Sequence, residues 1–143
     1  KLDRELAALQ LYIDLEKTKV PHFDYRISIG ETVQPDMIEV PPLILQPFVE
    51  NAIWHGLGNK KETGHLHINV QLCEPSVALI TIADDGIGRA ATQHIQKSHT
   101  SLGIEITEHR LKMLNAANQV LYEDLYSNGK AAGTMVKLYL HLH

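Results

Sequence analysis

Three side chains that can serve a metal ion and phosphates lie close together in one segment: Glu50, Asn51 and His55. The run from Pro41 to Gly56 has the spacing of an amphipathic helix. Residues four apart stack one turn above each other, so Asn51 and His55 share a stripe and Glu50 lies at its edge. This pattern favours chemistry, although such side chains can also simply meet solvent or cap a neighbour. Apolar residues fill the other side: Leu43, Ile44, Phe48, Val49, Ala52 and Ile53.

A second group follows an apolar run that ends at Ala83. Asp84 ends a predicted strand, and Gly86 and Gly88 come shortly after it. A carboxylate at a strand end can accept a hydrogen bond from an amine such as the exocyclic group of adenine, and glycines let a flat ring approach the backbone. An Asp-Gly pair after alternating apolar residues is also a common hairpin signal. Both interpretations stay open at this point.

Two further segments of small residues could meet a phosphate or a base. Thr100 to Ile104, which includes Gly103, is predicted to be a loop that enters a helix running from Glu105 to Asn118. Backbone N–H groups at a helix start bind anions without any basic side chain, although an ordinary cap gives the same pattern. Gly133 and Thr134 open the last predicted strand and alone indicate only a turn.

The composition limits the class of protein. With 143 residues, 44% of them hydrophobic, the chain has the size of one domain with its own core. A formal net charge of -4 argues against a nucleic-acid binder, which would present a basic face. The single Cys73 indicates a reducing compartment and is expected in the core. No signal peptide or membrane-spanning run is visible, so this part is expected to be cytoplasmic without direct membrane contact.

The periodicity of apolar residues predicts an α+β domain. A first helix runs from Asp3 to about Lys19, and the site helix runs from about Leu43 to Leu57, with Pro47 inside its first turns or at its true start. This order of elements predicts a two-layer α/β sandwich with helices on one face of a mostly antiparallel sheet. The predicted strands are Tyr25 to Ile29, His65 to Leu72, Val77 to Ala83, Val120 to Tyr126 and Thr134 to Leu142, with a turn from Ser127 to Gly133 between the last two.

Taken in chain order, these motifs resemble the ATP-binding catalytic domain of LytS-like sensor histidine kinases, in the superfamily that also contains the gyrase-type, chaperone and mismatch-repair ATPases. The resemblance runs from about Leu2 to Leu142. It implies a Bergerat-type ATP-binding fold with a movable lid at Arg89 to Leu102, in agreement with the predicted sandwich. The matching segments are Gln46 to Gly56, Asp84 to Gly88, Gly103-Ile104 with Arg110-Leu111, and Gly133-Thr134.

The resemblance implies a role for each matching residue. Asn51 would ligate the Mg²⁺ that bridges the phosphates of ATP, and Glu50 would place or polarise water or the attacking group. His55 would face the phosphates or the metal shell. Asp84 would accept the adenine amine, and Thr134 would share a water with the ring. Gly86 and Gly88 would line the base. Gly103 and Ile104 would meet the phosphates.

The chain differs from many members of the family at one position of the site helix: they carry a lysine there, and this chain has Trp54. A cation expected near the phosphates is therefore replaced by an indole. The candidates to supply that charge are Lys60, Lys61, Arg89 and Arg110.

The resemblance also implies an organisation and a reaction. Residues 1–20 would lead in from a dimerisation and acceptor region of the same protein, and residues 21–143 would form the catalytic domain. The γ-phosphoryl group of ATP would pass to a histidine outside this chain and then to a response regulator, in a parent that is a homodimer anchored in the inner membrane. His22 follows a proline as acceptor histidines do, but it lies at a helix-to-strand junction and is not expected to be the acceptor. Two other classes stay open: a nucleotide-binding regulatory module without transfer activity, and an anti-sigma-type Ser/Thr kinase.

Overall fold

The structure, a computed structural model, describes residues 1–20, 22–59, 63–87 and 99–142, and for His55, Asn59 and residues 99–102 it describes the backbone alone. One sheet has the strand order β1-β2-β3-β5-β4, in which β1 is parallel to β2 and every other pairing is antiparallel. The elements are α1 (Leu2–Glu16), β1 (Phe23–Ile29), α2 (Gln46–Asn51), a π-helical turn (Ala52–Gly56), β2 (Gly64–Glu74), β3 (Val77–Asp84), α3 (His99–Leu114), β4 (Gln119–Ser127) and β5 (Lys130–His141), with short 3-10 turns at Pro35–Met37 and Leu57–Asn59.

Alternating residues of the central strands point into a single core. Because successive side chains of a strand face opposite sides, every second residue of β2, β3 and β5 is buried, and the intervening residues are mostly polar or half-buried. The apolar stripe of α1 and the buried side of α2 pack into the same core. The predicted two-layer α+β sandwich is therefore confirmed. Buried core residues include Leu6, Ile13, Phe48, Ile53, Leu66, Ile68, Ile80, Ile82, Leu138 and Leu140.

The site helix differs from its predicted span. Leu43 lies before the helix with a φ of 58° and is 57% exposed, so it does not fill the apolar side as predicted. The helix begins at Gln46, with Pro47 in its first turn, where the missing N–H of proline costs no hydrogen bond. After Asn51 the chain widens into a π-helical turn. The turn covers only Ala52–Gly56, which is too short a segment for its different period to show in the sequence pattern.

Three further local predictions are wrong. Thr100 to Ile104 is not a loop, because the helix α3 already begins at His99. The predicted turn from Ser127 to Gly133 shrinks to Asn128 and Gly129, whose φ angles of 53° and 78° are those that a two-residue hairpin turn requires. Cys73 is exposed, because it lies at the irregularity between Leu72 and Glu74 that ends the regular pairing of β2 with β3. Within the described ranges, no helix has both the length and the apolar character needed to cross a bilayer.

His67 makes the stability of the sheet dependent on pH. Its Nε2 lies 3.0 Å from the hydroxyl of Ser28, and burial, followed by the charge of Arg26 on the neighbouring strand, lowers the pKa of its imidazole. A lowered folded-state pKa favours the neutral ring. Its contribution to stability is therefore fully present above the unfolded-state value near 6.5 and is lost as the pH falls through the folded-state pKa.

We expect the free energy of unfolding to fall below about pH 6.5 more steeply in the wild-type chain than in the variant His67→Gln, which cannot take up this proton. Urea titrations at pH 7.5, 6.5 and 5.5 measure the difference. The same pH dependence in both proteins would contradict the prediction.

Candidate functional site

Asp84 ends β3 and is the buried acid of the site. Its side chain is 6% exposed, and its Oδ1 accepts a hydrogen bond from the backbone N–H of Gly86 at 2.9 Å. In the sheet register Asp84 is paired with Thr134 of β5, which is 8% exposed. The structure therefore brings these two predicted residues together, with their side chains at the same end of the sheet. A carboxylate has about four acceptor positions, so it can serve a ligand and the backbone at once.

Two glycines lie directly against this carboxylate. A Cβ added to Gly56 would be 2.7 Å from Oδ1 of Asp84, and one added to Gly86 would overlap the backbone of Gly56. The backbone N–H of Ile87 also points to the carbonyl of Gly56, at 3.4 Å. Glycine has no Cβ, and only glycine allows the end of the π-helical turn and the loop after β3 to approach each other and Asp84 so closely. The end of the π-helical turn and the loop after β3 thus form a shallow backbone cradle around Asp84.

A third glycine closes the cradle from β5. Gly133 has a φ of 120°, and a Cβ there would overlap the carbonyl group of Asp84. The pairing of β4 with β5 is irregular at this point, since Asp124 is opposite Thr134 whereas Tyr126 is opposite Ala131. Such a bulge bends one strand towards its neighbour. Here it sets the backbone of β5 against Asp84 and places Thr134 beside it.

Asn51 is the last residue of α2 and is half-buried. The π-helical turn that follows it contacts both β3 and β5, and it ends at Gly56 against Asp84. This turn therefore connects the predicted metal ligand to the cradle. π-helical turns inside helices are frequent at functional sites.

Glu50 points towards the first helix. Its carboxylate and the side chain of Trp54 both lie near the hydroxyl of Tyr12 in α1. Burial first, and then the negative charges of Glu50 and Glu16, raise the pKa of Tyr12 well above its ordinary value. The phenol is therefore a neutral donor at every physiological pH. Nothing in the sequence pattern pairs Tyr12 with Glu50, because the contact joins two helices far apart in the chain.

Gly103 and Ile104 lie inside α3, which packs against α2. A Cβ on Gly103 would be 3.9 Å from Cβ of Pro47, and Pro47 is one helical turn before Asn51 on the same side of α2. Ile104 is half-buried against the core. The structure thus sets this part of α3 beside the Asn51 side of α2, although in a helix and not in the predicted loop.

Several predicted residues lie outside what the structure describes. Gly88 and the lid residues 89–98 are outside the described ranges, as are Lys60 and Lys61, and the side chain of His55 is not described. Of the four cations proposed to compensate for Trp54, only Arg110 is described. Its Nη2 donates to the carbonyl oxygen of Pro42 at 2.9 Å, in the segment that precedes α2.

Asp85 faces away from Asp84 and engages the neighbouring strand. Its Oδ1 accepts the backbone N–H of His65 at 2.6 Å, and its Oδ2 lies 2.7 Å from Nδ1 of the same histidine. This pair ties the loop after β3 to β2.

The chain is similar in sequence to larger bacterial proteins. It is 29% identical to YwpD of Bacillus subtilis (strain 168) over 143 residues, which cover 96% of this chain and 49% of YwpD. It is 28% identical to the sensor histidine kinase/phosphatase LytS of Staphylococcus aureus (strain Mu50) over 137 residues, 90% of this chain and 23% of LytS. The chain thus spans about half of the first relative and less than a quarter of the second. No protein-family model matches it.

Solved structures show the same fold. The nucleotide-free catalytic domain of histidine kinase ThkA superposes with a TM-score of 0.69 at 15% sequence identity, covering 98% of this chain and 91% of that one. The fold defines a class: this chain has the fold of the catalytic domain of histidine kinases. Within the class its sequence is related to the LytS sensor histidine kinases, as its motifs predicted.

Proposed function

We propose that this chain binds ATP with Mg²⁺ and transfers the γ-phosphoryl group to a histidine outside residues 1–143. The observation that supports this most directly is the cradle at the end of β3, where a buried carboxylate lies against the backbones of Gly56 and Gly86 and beside a buried threonine. A buried carboxylate is a strong acceptor for an amine such as the exocyclic group of adenine. The residues present therefore fit an adenine base.

At the base, Asp84 accepts the exocyclic amine and Thr134 holds a water against the ring. Gly86, with Gly88 after it, would line the base, and the absence of a side chain at Gly86 lets its backbone pack against Gly56. Gly56 keeps the π-helical turn close enough for Asp84 to remain covered. These residues select the purine and orient it. They do not take part in the transfer itself.

At the phosphates, Asn51 would supply an amide oxygen to Mg²⁺, and Gly103, Ile104 and His55 would lie along the tail. In the part of the chain that the structure describes, no group of three or more His, Cys, Asp or Glu residues is placed to hold a metal ion. A magnesium ion that keeps several waters and is bound mainly by phosphate oxygens needs only one or two protein ligands. The single amide at the end of α2 therefore fits a metal that arrives with the nucleotide.

Phosphoryl transfer needs position and charge compensation more than covalent help from the protein. Bound Mg²⁺ supplies the charge that offsets the phosphate oxygens. Asn51 orients the metal-bound tail, and Glu50 polarises the attacking imidazole of the acceptor. Glu50 directly precedes Asn51 in the sequence, and its carboxylate lies near Tyr12 of α1. The lid expected at residues 89–102 would exclude water during the transfer.

The partners follow from the same proposal. The acceptor histidine belongs to a dimerisation domain of the same protein, which we propose is a membrane-anchored homodimer with this domain in the cytoplasm. The phosphoryl group then passes to a response regulator, and histidine kinase ThkA has been crystallised with the response regulator protein TrrA. The apolar stripe of α1 is buried in the catalytic core. We therefore propose that the lead-in segment, residues 1–20, is docked on the domain formed by residues 21–143.

Calorimetry with ATP tests the binding step. We expect the wild-type chain to bind Mg-ATP, and Asn51→Ala to weaken that binding at least about tenfold, because the loss of metal ligation removes one anchor of the phosphates. The loss should be much smaller with EDTA present, since without the metal Asn51 has less to hold. A wild-type chain that does not bind ATP, or an Asn51→Ala variant with an unchanged dependence on Mg²⁺, would contradict the proposal.

An acceptor domain from a LytS relative, supplied with radiolabelled ATP, tests the transfer step. We expect a protein label that is stable in base and lost in acid, as a phosphohistidine is, and that depends on Asn51. ATP binding without such a label would favour the regulatory module, and an acid-stable label would favour a Ser/Thr kinase.

A further inference from the structure

The segment that leads into the site helix α2, residues 41–45, contains a strained backbone position. Leu43 has a φ of 58°, in the left-handed region that residues with a side chain rarely adopt. Among the residues described, the only other non-glycine residue with a positive φ is Asn128, which lies in a hairpin turn that requires it. The side chain of Leu43 is largely exposed, so its own packing does not offset the strain.

The strained position sets the start of the site helix. The two residues that follow it, Ile44 and Leu45, are both fully buried. The carbonyl oxygen of Leu45 then accepts the first hydrogen bonds of the helix, from the backbone N–H groups of Phe48 and Val49, both at 3.2 Å. The direction in which the chain leaves Leu43 therefore determines where α2 begins.

A carboxylate of the first helix holds the backbone at this position. Oε2 of Glu5 accepts the backbone N–H of Leu43 at 3.1 Å, and Oε1 accepts that of Leu45 at 3.5 Å. The helix α2 has no side-chain cap of its own, and free N–H groups at a helix start favour a negative partner. Glu5 of α1 therefore supplies the cap that α2 lacks, and it fixes the backbone between the two amides.

A guanidinium of α3 holds the same peptide group. Nη2 of Arg110 donates to the carbonyl oxygen of Pro42 at 2.9 Å, and this carbonyl shares one planar peptide group with the N–H that Leu43 donates to Glu5. Both polar groups of one peptide are thus held by charged side chains of opposite sign from two helices. Rotation of the peptide, which would relieve the φ of Leu43, would break both of these charge-assisted hydrogen bonds.

We propose that Glu5 and Arg110 are positioning residues for the site helix, because together they hold the peptide between Pro42 and Leu43 in the strained orientation that sets the start of α2. This inference rests on the proposed function, in which Asn51 at the end of α2 ligates Mg²⁺. Rotation of the peptide would displace the phosphate end of the site, while Asp84 would keep its place at the end of β3. A movement of α1 or of α3 would therefore change the binding of the metal-bound phosphates more than that of the base.

The first test uses Glu5→Gln and isothermal titration with ATP. The amide of glutamine has one acceptor oxygen, and its NH₂ group would oppose one of the two backbone N–H groups. We expect the affinity for Mg-ATP to fall about tenfold, because a backbone donor loses its charged partner. With EDTA present, the affinity for ATP should change by less than about twofold.

Changes at Leu43 show whether strain is involved. Glycine adopts a positive φ without cost, so Leu43→Gly should restore most of the Mg-ATP affinity in the Glu5→Gln background. Leu43→Ala removes nearly as much side chain but keeps the strain, and it should restore none. Asp3→Asn is the matched control for Glu5→Gln, because the carboxylate of Asp3 accepts a backbone N–H within α1 itself, that of Arg4 at 2.8 Å. Its Mg-ATP affinity should stay within about twofold of wild type.

Amide hydrogen exchange followed by NMR tests the peptide without nucleotide. Glu5→Gln should speed exchange at the N–H of Leu43 about tenfold or more. Arg110→Gln should also speed it, although Arg110 bonds the carbonyl of Pro42 and not this N–H, because release of one side of the peptide frees the other. Asp3→Asn should leave this exchange rate unchanged.

The possible failures are distinct. A wild-type chain that binds no ATP would overturn the proposed function and the positioning role with it. A wild-type chain that binds Mg-ATP, with Glu5→Gln as tight, would overturn the inference alone. The inference would also be wrong if Leu43→Gly restored no more affinity than Leu43→Ala, or if Arg110→Gln left exchange at Leu43 unchanged.

Discussion

Asp84→Asn is expected to weaken ATP binding by a factor of about 100 or more while the domain stays folded. The amide oxygen of asparagine can keep the hydrogen bond from the backbone of Gly86. The atom then left to face the base is an amide nitrogen, which is a donor opposed to the donor amine of adenine. A buried site built to bond one group rejects a mismatched partner by several kcal/mol, because both sides are left unsatisfied.

Inosine triphosphate makes this test specific, because its ring carries a carbonyl where adenine carries the amine. The wild-type chain should prefer ATP, and Asp84→Asn should lose or reverse that preference. The neighbouring variant Asp85→Asn is the matched control. Its side chain faces His65, so its affinity for ATP should stay within about threefold of wild type. Equal affinities of the wild-type and Asp84→Asn chains for ATP would contradict the role of Asp84.

Gly133→Ala is expected to be among the most destabilising single changes in this chain, with a loss of at least about 3 kcal/mol in the free energy of unfolding. Two causes add together. The backbone there has a φ of 120°, which side chains rarely adopt, and the added Cβ would overlap the carbonyl of Asp84. The bulge of β5 cannot move away without also losing the register that places Thr134 beside Asp84.

Gly129→Ala provides the control for Gly133→Ala. Gly129 also has a positive φ, of 78°, but a Cβ there would meet no atom within 4 Å. This variant should show only the backbone cost, about 1–2 kcal/mol. Urea denaturation of the two variants measures the difference. A Gly133→Ala chain as stable as Gly129→Ala would show that the close approach to Asp84 is not required.

Much of the fold could be predicted from local pattern. The alternation of apolar and polar residues along His65 to Leu72 and Val77 to Ala83 predicted the central hairpin, because successive side chains of a strand point to opposite faces of the sheet. The helical spacing of its apolar residues predicted α1, because residues at that spacing lie on one face of a helix: Leu2, Leu6, Leu9 and Ile13. Asp84 was predicted to end an apolar strand, as it does, although the Asp-Gly pair alone is also a common hairpin signal.

Other features have no local signal. The π-helical turn after Asn51 depends on a contact between distant segments, because it ends at Gly56, which packs against the carboxylate of Asp84 at the end of β3. Gly103 was placed in a loop because small residues have weak helix preference, but packing of α3 against Pro47 favours the helix. Local propensity is worth a few tenths of a kcal/mol at each residue, and tertiary packing outweighs it.

The sequence by itself determined the kinds of group in this protein and their order along the chain: an amide and an acid on one helix, a carboxylate at a strand end, and glycines where backbones must meet. Only the tertiary structure decided which of these groups share a site. It brought Asp84, Gly56 and Gly133 into contact. The physical reason is that residue type follows from local chemistry, whereas contacts between distant segments depend on the packing of the whole core.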